Sequence, residues 1–127
     1  MVEAKALADK DDPTTKYLAY TVQLKHPKIV IGSVGCSYYE DLGKVGITYF
    51  IGANDRNQGY ALEAVRAYIR HFFGHYPIRE LIATIREENI PSWSVIEKAG
   101  FRLLERKMYQ DLNDECEKMY RFYSLKG

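Results

Sequence analysis

The sequence predicts a mixed α/β fold in which a mostly antiparallel sheet carries helices packed on it. Three apolar, alternating stretches in the first half predict strands, two later stretches predict helices, and the chain ends in two strand-like stretches joined by a polar turn. A length of 127 residues fits one domain. Because the 46% hydrophobic content is enough for one core, we expect a single domain over residues 1–127.

The first half of the chain predicts an antiparallel meander. Residues 1–15 are polar, and residues 2–9 favour a short helix before an Asp-Asp-Pro sequence breaks it. Tyr, Val and Ile are enriched in residues 16–24 and 28–39, which predicts two strands separated by a His-Pro sequence. A short polar turn then leads into a third strand over residues 44–51.

The middle of the chain predicts a helix followed by a parallel strand. Residues 58–73 keep apolar side chains at helical spacing, and Gly74 is expected to end this helix. Residues 80–85 have the pattern of a short buried strand. Because a helix separates it from the strand at residues 44–51, the connection is a βαβ crossover and the two strands are expected to be parallel.

The last part of the chain predicts a second helix and a hairpin. Pro91 suits the first turn of the helix, because its missing N–H would have no partner there. Gly100 closes the helix. Residues 101–109 and 116–125 are then expected to pair as an antiparallel hairpin across a polar turn.

Composition argues against several classes of protein. A net charge of +1 is unlike the basic surface of a nucleic-acid-binding domain. Cys36 and Cys116 have no CxxC spacing, and the three histidines are spaced irregularly, so neither a disulfide framework nor a metal site is predicted. No apolar run of about 18 residues stands in the sequence. We therefore expect a cytoplasmic protein with a small-molecule or modest protein partner.

Residues 56–63 form a strand-to-helix turn that is suited to bind an anion. The first N–H groups of a helix lack intrahelical partners, and the helix dipole is positive at that end. Gly59 lets the backbone approach a phosphate, Ala61 keeps the next turn narrow, and Arg56 adds a cation. A single Gly at such a junction is also compatible with an ordinary helix start.

A second segment, residues 89–101, makes the interpretation more specific. Together the two segments resemble the GNAT superfamily of acetyl-CoA-dependent N-acetyltransferases, and within it the RimJ/RimL-like branch. The first segment matches the Arg/Gln-x-x-Gly-x-Gly/Ala loop of the superfamily. The second matches the Asn-x-x-Ser and Glu-Lys-x-Gly-Phe pattern of the branch, at Asn89, Ser92, Glu97, Lys98, Gly100 and Phe101. The resemblance extends over roughly residues 16–125.

The resemblance implies a GNAT-like acyl-CoA N-acyltransferase fold and direct acetyl transfer from acetyl-CoA to a primary amine, on a protein N-terminus or a small molecule. It implies that the strand ending at residues 49–51 splays from its neighbour and pairs with the pantetheine arm. Gly52 is compatible with a bend there, although an ordinary strand end fits equally. The implied cofactor residues are Phe50, Ile51, Arg56, Asn57, Gln58, Gly59, Tyr60, Ala61, Asn89 and Ser92.

Two positions of the second segment bear on the chemistry. Many relatives place a Tyr, as proton donor to the leaving thiolate, where this chain has Ile96. Ser92 is the candidate donor in the RimL-like branch, and the alternative is a helix-start residue that bonds a backbone N–H. Asn89 would hold the pantetheine amide or the loop, or act only as an Asx-turn residue.

Asp111 is the candidate general base, because relatives carry a carboxylate ten residues beyond the Phe of the Gly-Phe pair. The same residue also fits a plain hairpin turn. A second acidic position of relatives falls near Gly46 and is absent here, so deprotonation through water stays open.

The sequence departs from the resemblance at its start, where the elements that precede the first predicted strand are short or missing. These elements commonly form a wall of the acceptor site. A truncated chain, a minimal member, or one completed by a partner are all compatible with this. We expect a homodimer that buries the 16–24 edge or the terminal hairpin near Tyr120, Phe122 and Tyr123. A non-catalytic acyl-CoA-binding module is the main alternative function, and a structural domain without a ligand is a third.

Overall fold

The computed structural model describes residues 2–6, 18–24, 29–39, 41–52, 59–111 and 114–127, with the backbone alone at 2–6 and 18–19. Seven strands form one sheet in the order β1-β2-β3-β4-β5-β7-β6. The elements are β1 (Val2–Ala6), β2 (Leu18–Leu24), β3 (Val30–Tyr39), β4 (Lys44–Ile51), α1 (Tyr60–His75), β5 (Glu80–Arg86), α2 (Ile90–Lys98), β6 (Arg102–Tyr109) and β7 (Lys118–Lys126).

The predicted fold class is confirmed, because the strands pair antiparallel throughout the described sheet except at one place. β4 and β5 run parallel, with Gly46 opposite Ile82, as the crossover through α1 predicts. The β2-β3-β4 meander and the β6-β7 hairpin are both present. In α2, Pro91 lies in the first turn, and Gly100 follows the helix at a φ of 105°, a conformation that favours glycine.

The N-terminal expectation is wrong. Val2–Ala6 is a strand, and it pairs antiparallel with β2 from Val2 opposite Leu24 to Ala6 opposite Tyr20. A short isolated helix gains little, whereas five residues added to an existing sheet gain a ladder of hydrogen bonds. β2 is therefore covered, and β1 and β6 form the two ends of the described sheet. Residues 7–15 lie outside the described part of the chain.

The expected end of α1 is also wrong, since Gly74 lies inside the helix. The N–H of Tyr76 donates to the carbonyl oxygen of Phe72 at 2.9 Å, which carries the helical bonding past the glycine. Tyr76 is buried, and its ring lies 5.2 Å from that of Phe72. The two extra helical residues bring the aromatic side chain that follows them into the core, which outweighs the modest cost of a glycine within a helix.

The core lies between the sheet and one face of α1. That face presents Ala64, Val65, Tyr68 and Phe72, all buried. The three aromatic residues expected between subunits are instead buried within the chain, with exposed fractions of 4% for Tyr120, 6% for Phe122 and 0% for Tyr123. Most side chains of β7 between Tyr120 and Ser124 therefore belong to the interior, and the exposed face of the terminal hairpin lies mainly on β6.

Candidate active site

Two cavities lie at the ends of the parallel strands. The helix-side cavity has a volume of about 860 Å³ and is bounded by the end of β4, the start of α1 and one face of α2. The sheet-side cavity, of about 330 Å³, lies between β4 and β5 beyond their register pair and reaches α2 and the turn after β6. Its lining residues are Tyr39, Ile47, Thr48, Tyr49, Ala83, Thr84, Ile85, Arg86, Asn89, Ser92, Ile96, Asp111 and Tyr120.

Three side chains line both cavities: Tyr49, Asn89 and Ser92. The Tyr49 hydroxyl donates to the carbonyl oxygen of Ser92 at 2.9 Å and lies 3.1 Å from Ser92 Oγ. Burial raises the pKa of the Tyr49 phenol, and its bond to Ser92 offsets part of this rise. The phenol is therefore protonated at neutral pH. This pair of hydroxyl groups marks the junction between the two cavities.

The start of α1 opens onto the helix-side cavity. Gly59 has a φ of 80°, and among the described residues, its chain neighbours apart, no atom lies within 4 Å of the position that a Cβ would occupy. The first helical bond runs from the N–H of Glu63 to the oxygen of Gly59 at 3.1 Å. The N–H groups of residues 60–62 precede that bond, at the helix end where intrahelical acceptors are lacking. Local backbone geometry thus suits the predicted anion site.

All seven predicted cofactor residues that the structure describes line the helix-side cavity. They are Phe50, Ile51, Gly59, Tyr60, Ala61, Asn89 and Ser92. Arg56, Asn57 and Gln58 lie outside the described residues. The backbone carbonyl oxygen of Asn89 accepts hydrogen bonds from the N–H groups of Ser92 and Trp93 at 3.1 and 3.2 Å. The Asn89 side chain makes no capping bond. Lys98, to which the sequence analysis gives no role, adds a cation to the same cavity.

Asp111 lies at the sheet-side cavity and in a tight turn at once. The N–H of Asp114 donates to the Asp111 oxygen at 3.0 Å, and the Asp111 N–H donates to Asp114 Oδ2 at 3.0 Å. The turn thereby fixes the backbone that carries Asp111. The two interpretations of this residue are compatible, since the turn itself brings the carboxylate to the cavity wall.

Arg86 brings a second charge to the sheet-side cavity, and Asp114 balances it. Both the Tyr120 hydroxyl and the Arg86 guanidinium donate to the buried Asp114 carboxylate. The hydrogen bond from Tyr120, together with Arg86, holds the pKa of Asp114 below its usual value. Asp111 is a further carboxylate among the residues lining this cavity.

Gly46 makes room for another tyrosine at the sheet-side cavity. A Cβ at this position would lie 2.5 Å from the Tyr39 ring, so the ring packs directly over the glycine. The Thr84 hydroxyl donates to Tyr39 Oη at 3.4 Å, and burial raises the pKa of the Tyr39 phenol. The Tyr39 ring thus occupies the space that an acidic side chain at position 46 would need.

A charged network fastens α2 to the sheet. The Arg121 guanidinium donates to both carboxylate oxygens of Glu87 at 3.0 Å and to Glu97 Oε2 at 3.3 Å. It also lies 3.9 Å from the centre of the Trp93 ring. The Tyr123 hydroxyl donates to Glu97 at 2.6 Å. The Glu of the Glu-Lys-x-Gly-Phe pattern therefore has a positioning contact, and the network fixes the helix that carries Ser92.

Sequence reasoning missed the role of Tyr49 at the junction and of three residues in the sheet-side cavity. Tyr49 belongs to the predicted strand end, but nothing in a strand pattern distinguishes a packing tyrosine from one at a cavity junction. Arg86, Tyr39 and Tyr120 come from three separate strands, and only the sheet order brings them together. Arg86 alone lies close in sequence to a motif residue, three positions before Asn89, and this proximity is the one local signal for its place at the site.

Among the described residues, no three His, Cys, Asp or Glu side chains are placed to hold a metal ion. Neither described helix has the length and apolar character needed to cross a membrane.

Comparison with known proteins gives the family. The profile of the acetyltransferase (GNAT) domain matches residues 2–102. The chain belongs to the GNAT acetyltransferase family. Members of this family use acetyl-CoA as the acyl donor. The resemblance inferred from the two motifs is thus confirmed.

Individual relatives agree with this assignment. An uncharacterized N-acetyltransferase, YnaD, of Bacillus subtilis is 35% identical over 106 residues, which cover 79% of this chain and 58% of YnaD. A GNAT-family acetyltransferase from Bacillus anthracis has a TM-score of 0.75 at 25% identity, covering 85% and 65% of the two chains. Mycobacterium smegmatis RimJ, solved with CoA-disulfide, has a TM-score of 0.75 at 20% identity, covering 88% and 54%. The chain thus spans less than two thirds of the length of these relatives.

Proposed function

We propose that this GNAT chain is an acetyl-CoA-dependent N-acetyltransferase that transfers acetyl directly to a primary amine in a ternary complex. The observation that carries the proposal is the meeting of two cavities at Tyr49, Asn89 and Ser92. Direct transfer needs a donor site and an acceptor site that share one point, where the two reactants are held in contact. The larger cavity is the donor site in this proposal, and the smaller one receives the amine.

The start of α1 supports the placement of the cofactor in the helix-side cavity. The pyrophosphate would lie against the backbone N–H groups of residues 58–61, in the open space beside Gly59. Lys98 is a further cation at this cavity. The pantetheine arm would run beside residues 49–51 of β4 toward Ser92. The thioester would then reach the junction of the two cavities.

The charges of the sheet-side cavity support an amine acceptor. Asp111 contributes a carboxylate, while the charge of Arg86 is balanced by Asp114. A protonated amine is attracted to such a cavity, and a substrate carboxylate gains less from a guanidinium that is already paired. Asp111 would order the water that takes the proton from the amine, and Ser92 would donate a proton to the leaving thiolate. Protein N-termini and small amines both fit this description.

Two measurements test the proposal. Acetyl-CoA should bind in a calorimetric titration, and addition of amines from a panel of peptide N-termini and small amines should release free CoA thiol. Binding without thiol release from any amine would favour the non-catalytic acyl-CoA-binding module. Absence of acetyl-CoA binding would overturn both functions.

We also propose a homodimer in a cytoplasmic setting. The corrected fold moves the expected interface to β6, whose edge carries large apolar side chains in exposed positions. Leu104 is 56% exposed, Met108 50% and Leu103 39%, beside Met119 on β7 at 40%. An edge strand with this surface is suited to pair with a second copy. A clean monomer in light scattering at tens of micromolar, with full activity, would refute the dimer and the idea of an incomplete acceptor site.

A further inference from the structure

The position that supplies the thiolate proton donor in many relatives holds Ile96 in this chain, and Ile96 cannot donate. Its side chain is buried, with 1% exposed, and it lines the sheet-side cavity. A proton must nevertheless reach the sulfur, because a thiolate is a poorer leaving group than a thiol. The donor must lie where both cavities meet, since the C–S bond breaks there.

Among the described residues, the side chains lining both cavities are Tyr49, Asn89 and Ser92. The amide of Asn89 is not an acid under these conditions. The Ser92 hydroxyl is a much weaker acid than a phenol, whose ordinary pKa is about 10. Tyr49 is therefore the strongest acid of the three, and its oxygen lies 3.1 Å from Ser92 Oγ.

We infer that Tyr49 is the proton source for the leaving thiolate, with Ser92 Oγ as the relay between them. This inference rests on the proposed acetyltransferase function. Many relatives carry the proton-donating hydroxyl on α2, at the position of Ile96. In this chain the hydroxyl of Tyr49 is supplied by β4, on the other side of the junction. The phenol has a single hydrogen, which it gives to the Ser92 carbonyl oxygen at rest, and the relay turns that hydrogen to Ser92 Oγ, 3.1 Å from the Tyr49 oxygen.

The step balances without an added reagent. The amine nitrogen bonds to the acetyl carbon, and the tetrahedral intermediate collapses as the C–S bond breaks. The sulfur takes the proton of Ser92 Oγ, and Ser92 takes the proton of Tyr49. The proton that leaves the new amide nitrogen passes through water and restores the phenol. From the deprotonated amine, the products are an N-acetylated amine and CoA thiol, and the transfer itself neither gains nor loses a proton. The proton taken earlier from the ammonium form leaves to solvent.

The test compares Tyr49→Phe, Ser92→Ala and the double variant in the full chain. Each single variant should lower turnover with acetyl-CoA by about tenfold or more while the affinity for acetyl-CoA changes by less than about twofold. Because the two hydroxyl groups form one relay, the double variant should be no slower than the slower single variant. Tyr38→Phe is the matched control, since this tyrosine is partly exposed on β3 and lines neither cavity.

A second readout separates proton donation from a packing role. With 4-nitrophenyl acetate as acyl donor the leaving group departs without a proton, so Tyr49→Phe should retain the wild-type rate within about twofold. The relay would be overturned if the turnover losses of the two single variants multiplied in the double variant. It would also be overturned if Tyr49→Phe lost turnover equally with acetyl-CoA and 4-nitrophenyl acetate. Either result would leave the acetyltransferase function intact. An inactive wild-type chain with every amine would overturn both.

Discussion

The two cavities are built in different ways. The helix-side cavity is formed largely by consecutive residues, 49–51, 59–62 and 89–95, and its anion-binding groups belong to the main chain at the start of α1. The sheet-side cavity is formed by side chains of β3, β4, β5, β7 and the turn after β6, held by hydrogen bonds and ion pairs. Main-chain geometry recognises a constant group such as a pyrophosphate. Side chains from several strands can change separately, so acceptor specificity belongs to the second cavity.

The largest expected effect separates the cavities through Gly59. Gly59→Val should weaken acetyl-CoA binding by more than about tenfold, or 1.4 kcal/mol, because Val is strained at a φ of 80° and its side chain enters the open space. Calorimetry on the folded variant measures the loss.

Two controls accompany the Gly59 variant. Gly59→Asn tolerates the left-handed conformation, so a loss that persists with Asn is due to occupied space. Gly74→Ala, at an exposed helical glycine, should leave affinity unchanged and raise stability by about 0.5–1 kcal/mol. Full affinity in Gly59→Val would remove this turn from the cofactor site.

The next effect concerns the junction. Ser92→Ala should lower turnover by roughly tenfold and leave acetyl-CoA affinity nearly unchanged, because the bond to sulfur strengthens only as charge develops. Steady-state kinetics together with calorimetry separate the two quantities. A loss of affinity with unchanged turnover would limit Ser92 to cofactor binding and to the start of α2.

A smaller effect is expected on the acceptor side. Asp111→Asn should lower turnover several-fold and flatten the rise in rate with pH, because the carboxylate no longer orders the water that deprotonates the amine. Acetyl-CoA affinity should not change. A pH profile identical to that of the wild type would reduce Asp111 to a turn residue.

The network behind α2 should affect both cavities together. Arg121→Met removes the ion pairs to Glu87 and Glu97, so both acetyl-CoA affinity and turnover should fall about two- to fivefold as the start of α2 loosens. Arg102→Met, at an exposed position of β6, is the matched control. An effect on only one of the two quantities would contradict a shared positioning role.

Acid should destabilise the sheet-side cavity. The folded-state pKa of Asp114 is lowered, so its contribution to stability is present above its ordinary pKa of about 3.9 and is lost as the pH falls below that value. Asp114→Asn should lower the melting temperature at pH 7 and flatten its fall in acid. Glu117→Gln, at an exposed position, should change neither. An unaltered acid profile in Asp114→Asn would show that this carboxylate contributes little.

Local segments were predictable and long-range ones were not. The start of α1 after Gly59, the Pro91 helix start and the parallel β5 all follow from residues close together in sequence. The strand at residues 2–6 was predicted as a helix because its partner, β2, lies more than ten residues away and composition alone favours neither form strongly.

The acceptor side shows the same limit. Asp111 was a candidate from the motif count, but Arg86 and Asp114 form their pair across 28 positions of sequence. No periodic pattern records such a pair. The end of α1 was missed for a related reason, since burial of Tyr76 overrides the tendency of Gly74 to end a helix.

In the proposed mechanism one point, between Tyr49 and Ser92, joins the donor and acceptor cavities. A crystal structure of the full chain with bound CoA tests it most directly. The pyrophosphate is expected to lie against the N–H groups at the start of α1, and the thiol sulfur within about 4 Å of Ser92 Oγ, the range of a hydrogen bond to sulfur. A sulfur that ends elsewhere than the junction, or a pyrophosphate bound away from α1, would contradict it.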